Sequence, residues 1–416
     1  MKNLFILLVI IFSFFTTYST AQTQLKIMSY NLLKYPNGVS GINRKNDLRY
    51  ILNEAQPDIL MVCELQDEQG SNEILNYCLS TPDNRYSGAT FEYNHSGIYR
   101  DLQQMIYYNN QKFQLINSDY VTTYLRDINH YTLKLLTVDA DTNPVFFDFY
   151  VAHLKSSQGS YNENKRLDMV NDFVNDLNNV PQDHYVIFAG DFNLYRSTEP
   201  AFQKIIDANN HIIMKDPLGC SATNNCFWHN NTTYTQVHTQ STHTQSVSSY
   251  VGGGLNDRFD FIMLSENLFS NNSVQYQNNS NTAFGNNGDC FNNNINDTDC
   301  SGSFDMTLRQ HLYNMSDHLP DTLILETNLT LSNQEISNLD VRINEALPVN
   351  NQISFSGDFE NIDELIIYDT TGKQMYIKQN YFRNEIIDLQ KIKNGIYFVE
   401  LKMNGKLKII KFARDI

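Results

Sequence analysis

The chain has 416 residues, a formal net charge of −16 and ordinary hydrophobic content, enough for one large domain and a smaller one. The acidic balance works against nonspecific attraction to nucleic acid or anionic membrane, so a phosphate-bearing substrate needs local neutralisation by a metal or a small basic patch. Among the six cysteines no CxxC pairs with a second CxxC or a CxxH, which argues against a zinc ribbon or finger.

The first residues, MKNLFILLVIIFSFFTTYSTAQTQ, place Lys2 before an apolar run and small residues at Ser19 to Ala21. This is the pattern of a secretory signal peptide over residues 1–21, with cleavage after Ala21. The run is short for a bilayer, and no integral membrane segment is expected. Export permits disulfides. Cys220–Cys226 and Cys290–Cys300, close in sequence and in polar surroundings, are the expected pairs; Cys63, inside an apolar run, is expected as a buried free thiol.

From Leu25 strand and helix signals alternate. LKIMSYNLL is β-rich. The next segment carries Leu48, Ile51, Leu52 and Ala55 at helical spacing and stops before Pro57. DILMVCEL, QMIYYN and PVFFDFYVAHL follow as strands. NENKRLDMVNDFVNDLNNV is predicted as an amphipathic helix with Leu167, Val170, Val174 and Leu177 on its apolar face. HYVIFAGDFN, RFDFIML and DTLILETNL complete the strands. Apolar strands separated by helices indicate a layered α/β domain. Residues 220–254 and 271–303 are polar and read as long loops, which in compact domains are functional or disordered. The loop between GDFN and RFDF is placed to overhang a cleft or to act as a flexible cover.

After Leu329 the style changes. Short strands from ISFSG to KLKIIKF are separated by turns, with no helical period, as in a small all-β domain. This part holds eleven Lys/Arg against twelve Asp/Glu, so the negative charge belongs to the first domain.

Several strands end on a polar residue suited to catalysis: Asn31, Glu64, His153, Asp191 with Asn193, Asp260, and Asp317 with His318. In open α/β sheets the loops at one end of the strands gather into a ligand-binding crevice. Taken singly, each residue also fits a turn, a strand edge or a satisfied core position. Their recurrence at strand ends in one domain points to a site that binds a hard cation and moves protons.

The ordered set SYNLL, PDILMVCE, AHLKS, GDFN, RFDFIMLS and SDHLP resembles the endonuclease/exonuclease/phosphatase superfamily, which includes deoxyribonuclease I, abasic-site endonucleases, sphingomyelinases and inositol polyphosphate 5-phosphatases. The resemblance covers residues 25–328 and implies a four-layer sandwich of two packed β-sheets flanked by helices. It implies Mg²⁺ as cofactor, with Mn²⁺ as a substitute, held by Glu64 with Asn31 and Asp317. It implies His318 oriented by Asp260, Asp191 on the attacking water, Asn193 on a phosphoryl oxygen, and His153 on the phosphate or the leaving oxygen. Glu92 is a candidate acid to support His153. Leu33 replaces an acidic ligand found in some relatives. The run NINDTDCSGSFD is a candidate for Ca²⁺, against the simpler reading of a solvated loop.

The tail, ELIIYDTTGKQ through NGIYFVELKMNGKLKIIKF, resembles a C-terminal sorting domain of the type IX secretion system. Its implied partner is that secretion machinery. The domain plan is thus 1–21 signal peptide, 22–328 catalytic domain, 329–339 linker and 340–416 sorting domain, in a monomer destined for the cell surface or medium. The expected activity is a secreted Mg²⁺-dependent phosphodiesterase, a nuclease on DNA or RNA, with nucleic acid as partner. Lys155, Arg166 and Arg196 are the expected phosphate contacts. The alternatives are a lipid phosphodiesterase or phosphomonoesterase of the same fold, or a non-catalytic binding protein. No apolar hairpin suited to lipid is evident.

Overall fold

The computed structural model describes residues 23–39, 43–96, 102–221, 223–270, 272–332, 341–344, 352–357, 359–403 and 406–414. The expected signal peptide and most of the expected linker lie outside the described residues.

The first domain begins with β1 (Thr23–Tyr35), α1 (Lys45–Ala55), β2 (Ile59–Leu65), α2 (Glu68–Glu73), β3 (Tyr86–Gly88) and β4 (Gln103–Asn109). Then come β5 (Phe113–Val121), β6 (Ile128–Leu135), β7 (Val145–His153), α3 (Ser160–Asp176), β8 (Tyr185–Asp191), α4 (Pro200–Ile205), β9 (Met214–Lys215) and β10 (Asp260–Ser265). It closes with β11 (Val274–Tyr276), β12 (Thr282–Ala283), α5 (Met306–Met315) and β13 (Asp321–Thr327).

Two sheets form. One runs β11-β13-β1-β2-β4-β3, with β12 also on β13; the other runs β5-β6-β7-β8-β10-β9. Their facing sides share a core that includes Ile27, Ile59 and Leu323 from the first and Phe149, Val151 and Ile187 from the second. On the outer side of the first sheet, Leu48 and Ile51 of α1 and Leu312 of α5 pack with Met28 and Tyr30. On the outer side of the second, Met169 and Phe173 of α3 and Phe202 of α4 pack with Phe188. This is the expected four-layer sandwich. Apolar residues fill both faces of the central strands, which is why those strands read as unbroken apolar runs.

Helix α1 buries the four predicted residues and ends at Gln56, whose φ of +46° turns the chain before Pro57. Helix α3 and the short turn after it cover the predicted span and bury three of the four predicted residues, Val170, Val174 and Leu177. Arg166, Met169, Val170, Phe173 and Val174 are buried, whereas Leu167 is only half-buried. The Arg166 guanidinium donates to Glu199 Oε2 from Nε at 3.0 Å and from Nη2 at 2.7 Å. Two more bonds go to the carbonyls of Lys155 and Ser157. The expectation that Arg166 contacts phosphate is therefore corrected: it is 0% exposed and fully engaged. Helix α5 lies between the loop read over 271–303 and the strand DTLILETNL, where no element was expected, and starts from an Asp305 cap that accepts from Leu308 N–H at 2.9 Å.

Both expected disulfides are present, and Cys63 is a buried free thiol, as is Cys78. The first domain runs past its expected end: Ser332 N–H donates to the Leu136 carbonyl at 2.8 Å. The tail is all-β, with a four-stranded sheet built around Asn361–Asp369 and Gly395–Met403. Its core includes Ile362, Leu365, Val399 and Leu401. No helix among the described residues is long and apolar enough to cross a membrane.

Gly190 lies within β8 rather than at a turn, at a φ of +137°. A Cβ there would stand 1.8 Å from the Ala152 carbonyl oxygen of β7. Glycine thus sets the close approach of the two strands that carry His153 and Asp191. Gly190→Ala is expected to destabilise the protein by about 3 kcal/mol or more, read as a fall in denaturation midpoint with an unchanged slope.

Candidate active site

Strand pairing brings the candidate residues to one end of the sandwich. Asn31 of β1 pairs with Cys63 of the parallel β2, beside Glu64. His153 of β7 pairs with Asp191 of the parallel β8, and Asp191 pairs with Asp260 of the antiparallel β10. Asp317 and His318 enter from the segment after α5. The backbone there is unusual. Glu64 and Asn193 have φ of +59° and +51°, conformations that side-chain-bearing residues avoid unless the surroundings impose them.

Asp191 is the hub. Its Oδ1 accepts from Asn193, from the backbone N–H at 3.1 Å and from Nδ2 at 2.8 Å. Its Oδ2 accepts from Asn31 Nδ2 at 3.0 Å and faces His153 Nε2 at 3.6 Å and His318 Nε2 at 3.7 Å. Phe192 turns into the core against Phe188, so Asp191 and Asn193 share the open side. Burial, with the charges of Asp260 and Glu64, pushes the Asp191 carboxyl up to about 7 against the pull of His318.

His318 Nδ1 lies 2.7 Å from Asp260 Oδ2, the expected orienting pair. Burial alone would favour neutral imidazole. The charges of Asp260 and Asp191 outweigh it and hold His318 well above the usual histidine range. His153 is the opposite case: burial, reinforced by Arg126 and His318, keeps it well below that range. Its Nδ1 has no hydrogen-bond partner among the described residues and stands 3.9 Å from Glu64 Oε1. Glu64 and Asp191 are thus the acids beside His153. Glu92, the sequence candidate for that role, is exposed, and among the described residues no hydrogen bond or ion pair joins it to His153.

Glu64 Oε2 accepts from Lys34 N–H at 3.1 Å, and Oε1 accepts from Asn31 Nδ2 at 3.2 Å. Asn31 presents its nitrogen to both carboxylates, because its Oδ1 accepts from Leu33 N–H at 3.0 Å. Asp317 Oδ2 accepts from Val251 N–H at 3.0 Å, while its Oδ1 is buried with no hydrogen-bond partner among the described residues. Burial raises the Asp317 carboxyl. Ligand atoms of Glu64, His153 and Asp191 lie within 4.8 Å of one another. Glu64, Asp191, Asp260 and Asp317 converge around His318, and two of their buried carboxylate oxygens, Asp260 Oδ1 and Asp317 Oδ1, have no hydrogen-bond partner among the described residues. Such a set suits a hard divalent cation with oxygen ligands.

Loop residues complete the site, and sequence reading missed them. The Gln240 carboxamide lies 2.7 Å from His318 Nε2, and Arg126 donates to the His153 carbonyl at 2.7 Å. His229 pairs with Asp257, with the Tyr195 ring edge-on to it. The loop residues Gln240 and His229 are thus tied to His318 and Asp257. The remaining expected phosphate contacts differ in availability: Lys155 is partly exposed, and Arg196 is exposed but lies 3.5 Å from Glu163.

Residues 28–318 match the Endonuclease/Exonuclease/phosphatase family. The chain belongs to that family. Members of the endonuclease/exonuclease/phosphatase family are hydrolases of phosphoester bonds that use divalent metals. Residues 347–413 match the secretion system C-terminal sorting domain, which marks the protein for type IX secretion. Similar solved structures include D. rerio TDP2 complexed with single strand DNA product, at 16% identity over 73% of this chain and 100% of that one, TM-score 0.45. The human Nocturnin catalytic domain with bound sulfate anion aligns at 16% identity over 74% and 98%, TM-score 0.45. An endonuclease/exonuclease/phosphatase from Bacteroides vulgatus aligns at 13% identity over 74% and 100%, TM-score 0.45. No curated protein gives a significant match.

Proposed function

We propose that this family member is an exported Mg²⁺-dependent phosphodiesterase that acts as a nuclease on DNA or RNA. The observation that carries the reading is the geometry around Asp191, whose Oδ2 faces His153 Nε2 at 3.6 Å and His318 Nε2 at 3.7 Å, with Asp260 Oδ2 at 2.7 Å from His318 Nδ1. A divalent cation at Glu64, with Asp317 beside it, would neutralise charge on the phosphoryl oxygens. Asn31 holds Glu64 and Asp191 in register through its two donated bonds.

Asp191 Oδ2 takes a proton from the water that attacks phosphorus. Its Oδ1, fixed by Asn193, keeps the acceptor aimed. A phosphorus–oxygen bond forms to water and another breaks to the leaving oxygen. Protonated His318 is the group charged to donate to that oxygen, while neutral His153 offers one N–H to a phosphoryl oxygen. Asp260 stabilises the His318 cation, as a triad acid does its histidine.

A lipid phosphodiesterase is the second reading. Its support is a short turn beside Asp317 that exposes Val247 and Val251 at 57% and 52%. Two valines bury little area in a membrane, so nucleic acid is preferred. The full mature chain assayed on plasmid DNA, RNA, sphingomyelin and phosphomonoesters, with Mg²⁺, Ca²⁺ or EDTA, separates these readings. Phosphomonoester cleavage without nucleic-acid cleavage would overturn the nuclease.

Metal binding should depend on pH. Asp191 and Asp317 are raised in the folded state, so the metal-free protein loses stability as pH rises from about 4, the unfolded carboxylate value, through the folded values. A cation offsets that loss once the protons have gone. Mg²⁺ is therefore expected to raise the melting temperature clearly at about pH 8 and little at about pH 5. An equal shift at both would contradict the carboxylate site.

A further inference from the structure

Beside the reaction centre lies a strip of exposed rings that the chemistry does not use. Tyr124 and Tyr161 are 59% and 64% exposed. Lys165 Nζ stands over the Tyr124 ring, 4.0 Å from its centroid, and Tyr161 lies one turn before Lys165 on the same face of α3. Next to them the rings of His95 and Tyr120 stack at 3.9 Å with 8° between their planes. Ser96 Oγ accepts from Thr123 N–H at 2.9 Å, which ties the two groups together. The strip is fastened to the site: Arg126, two residues beyond Tyr124, holds the carbonyl of His153.

Charge is a poor means of holding nucleic acid here. The chain carries −16, Lys165 is shared with Asp168 at 3.0 Å, and His95 with Asp127 at 3.1 Å. Stacking on aromatic rings does not need net positive charge, but it needs bases not already stacked in a duplex. We propose that this strip is a platform for the unpaired bases of a single-stranded nucleic acid, which it leads toward His153 and Asp191. The inference rests on the phosphodiesterase reading and narrows its substrate to single strands.

The test uses the full mature chain. Binding of a fluorescein-labelled oligothymidylate and of its duplex with oligoadenylate is followed by anisotropy in EDTA. Hydrolysis of the oligothymidylate and of bis(4-nitrophenyl) phosphate is followed with Mg²⁺. The wild type is expected to bind the strand more tightly than the duplex. Tyr124→Ala with Tyr161→Ala should weaken strand binding by about fivefold or more for each ring lost and raise KM, with kcat on bis(4-nitrophenyl) phosphate unchanged. The corresponding phenylalanine changes should keep binding, because stacking needs the ring and not the hydroxyl. Equal binding by the alanine variant and the wild type, or a duplex held as tightly as the strand, would overturn the platform. Strand binding without hydrolysis of either phosphodiester would instead remove the phosphodiesterase reading.

Discussion

His318→Asn lowers kcat on a phosphodiester by about a thousandfold, the usual scale for losing a positioned acid–base group. Asparagine keeps a donor near the position of Nδ1, so the buried Asp260 retains a partner, while the proton at Nε2 is gone. The comparison variant, Asp260→Asn, keeps the shape but removes the charge that holds His318 protonated; its loss is expected to be of similar order. The pH profile sharpens the test. Asp191 must be ionised to accept a proton, so activity rises with pH on the acid side, and the metal moves that limb below the metal-free value of about 7. His318 must be protonated to donate, so activity falls on the alkaline side, above the ordinary histidine range. Asp260→Asn should pull the alkaline limb to lower pH. An unmoved limb would assign it to another group.

Glu64→Gln is expected to lower kcat by about a thousandfold or more and to abolish the Mg²⁺-dependent rise in melting temperature. Glutamine has the same length and its one carboxamide oxygen can still accept from Asn31 or from Lys34, so the fold is kept while the anionic ligand is lost. The metal-free stability should hold or rise slightly, since one of four converging negative charges is removed. Calorimetric titration with Mg²⁺ checks the binding, and a thermal melt in EDTA checks the fold. A variant that still binds Mg²⁺ like the wild type would move the metal away from Glu64.

The site was legible where local sequence dictates it. β2 and β8 are continuous apolar runs, and an acid at the end of such a run is conspicuous because burying it is costly. What sequence reading could not reach depends on distant partners. Arg166 resembles a solvated helix residue, and its burial is explained by distant partners, Glu199 before α4 and the carbonyls of Lys155 and Ser157. Gln240 and His318 meet across a separation of 78 residues, through loop packing that has no periodicity. Asn31 was recognisable as a site residue, but the direction of its carboxamide is set by the Leu33 N–H in an unusual left-handed turn. Helix α5 did carry a signal, an Asp305 cap with Leu308, Leu312 and Met315 at helical spacing, which the surrounding asparagines obscured. Strands β5 and β6 are half-exposed, so they lack the apolar run that marks the central strands.

The central claim is metal-assisted hydrolysis of a phosphodiester at the Glu64–Asp191–His318 cluster. The most direct measurement is the initial rate of bis(4-nitrophenyl) phosphate hydrolysis by the full mature chain, with Mg²⁺ and with EDTA, for the wild type and Glu64→Gln. The account predicts turnover by the wild type with Mg²⁺, loss of that turnover in EDTA, and none above background for Glu64→Gln. Hydrolysis that persists undiminished in EDTA, or in the Glu64 variant, would contradict it.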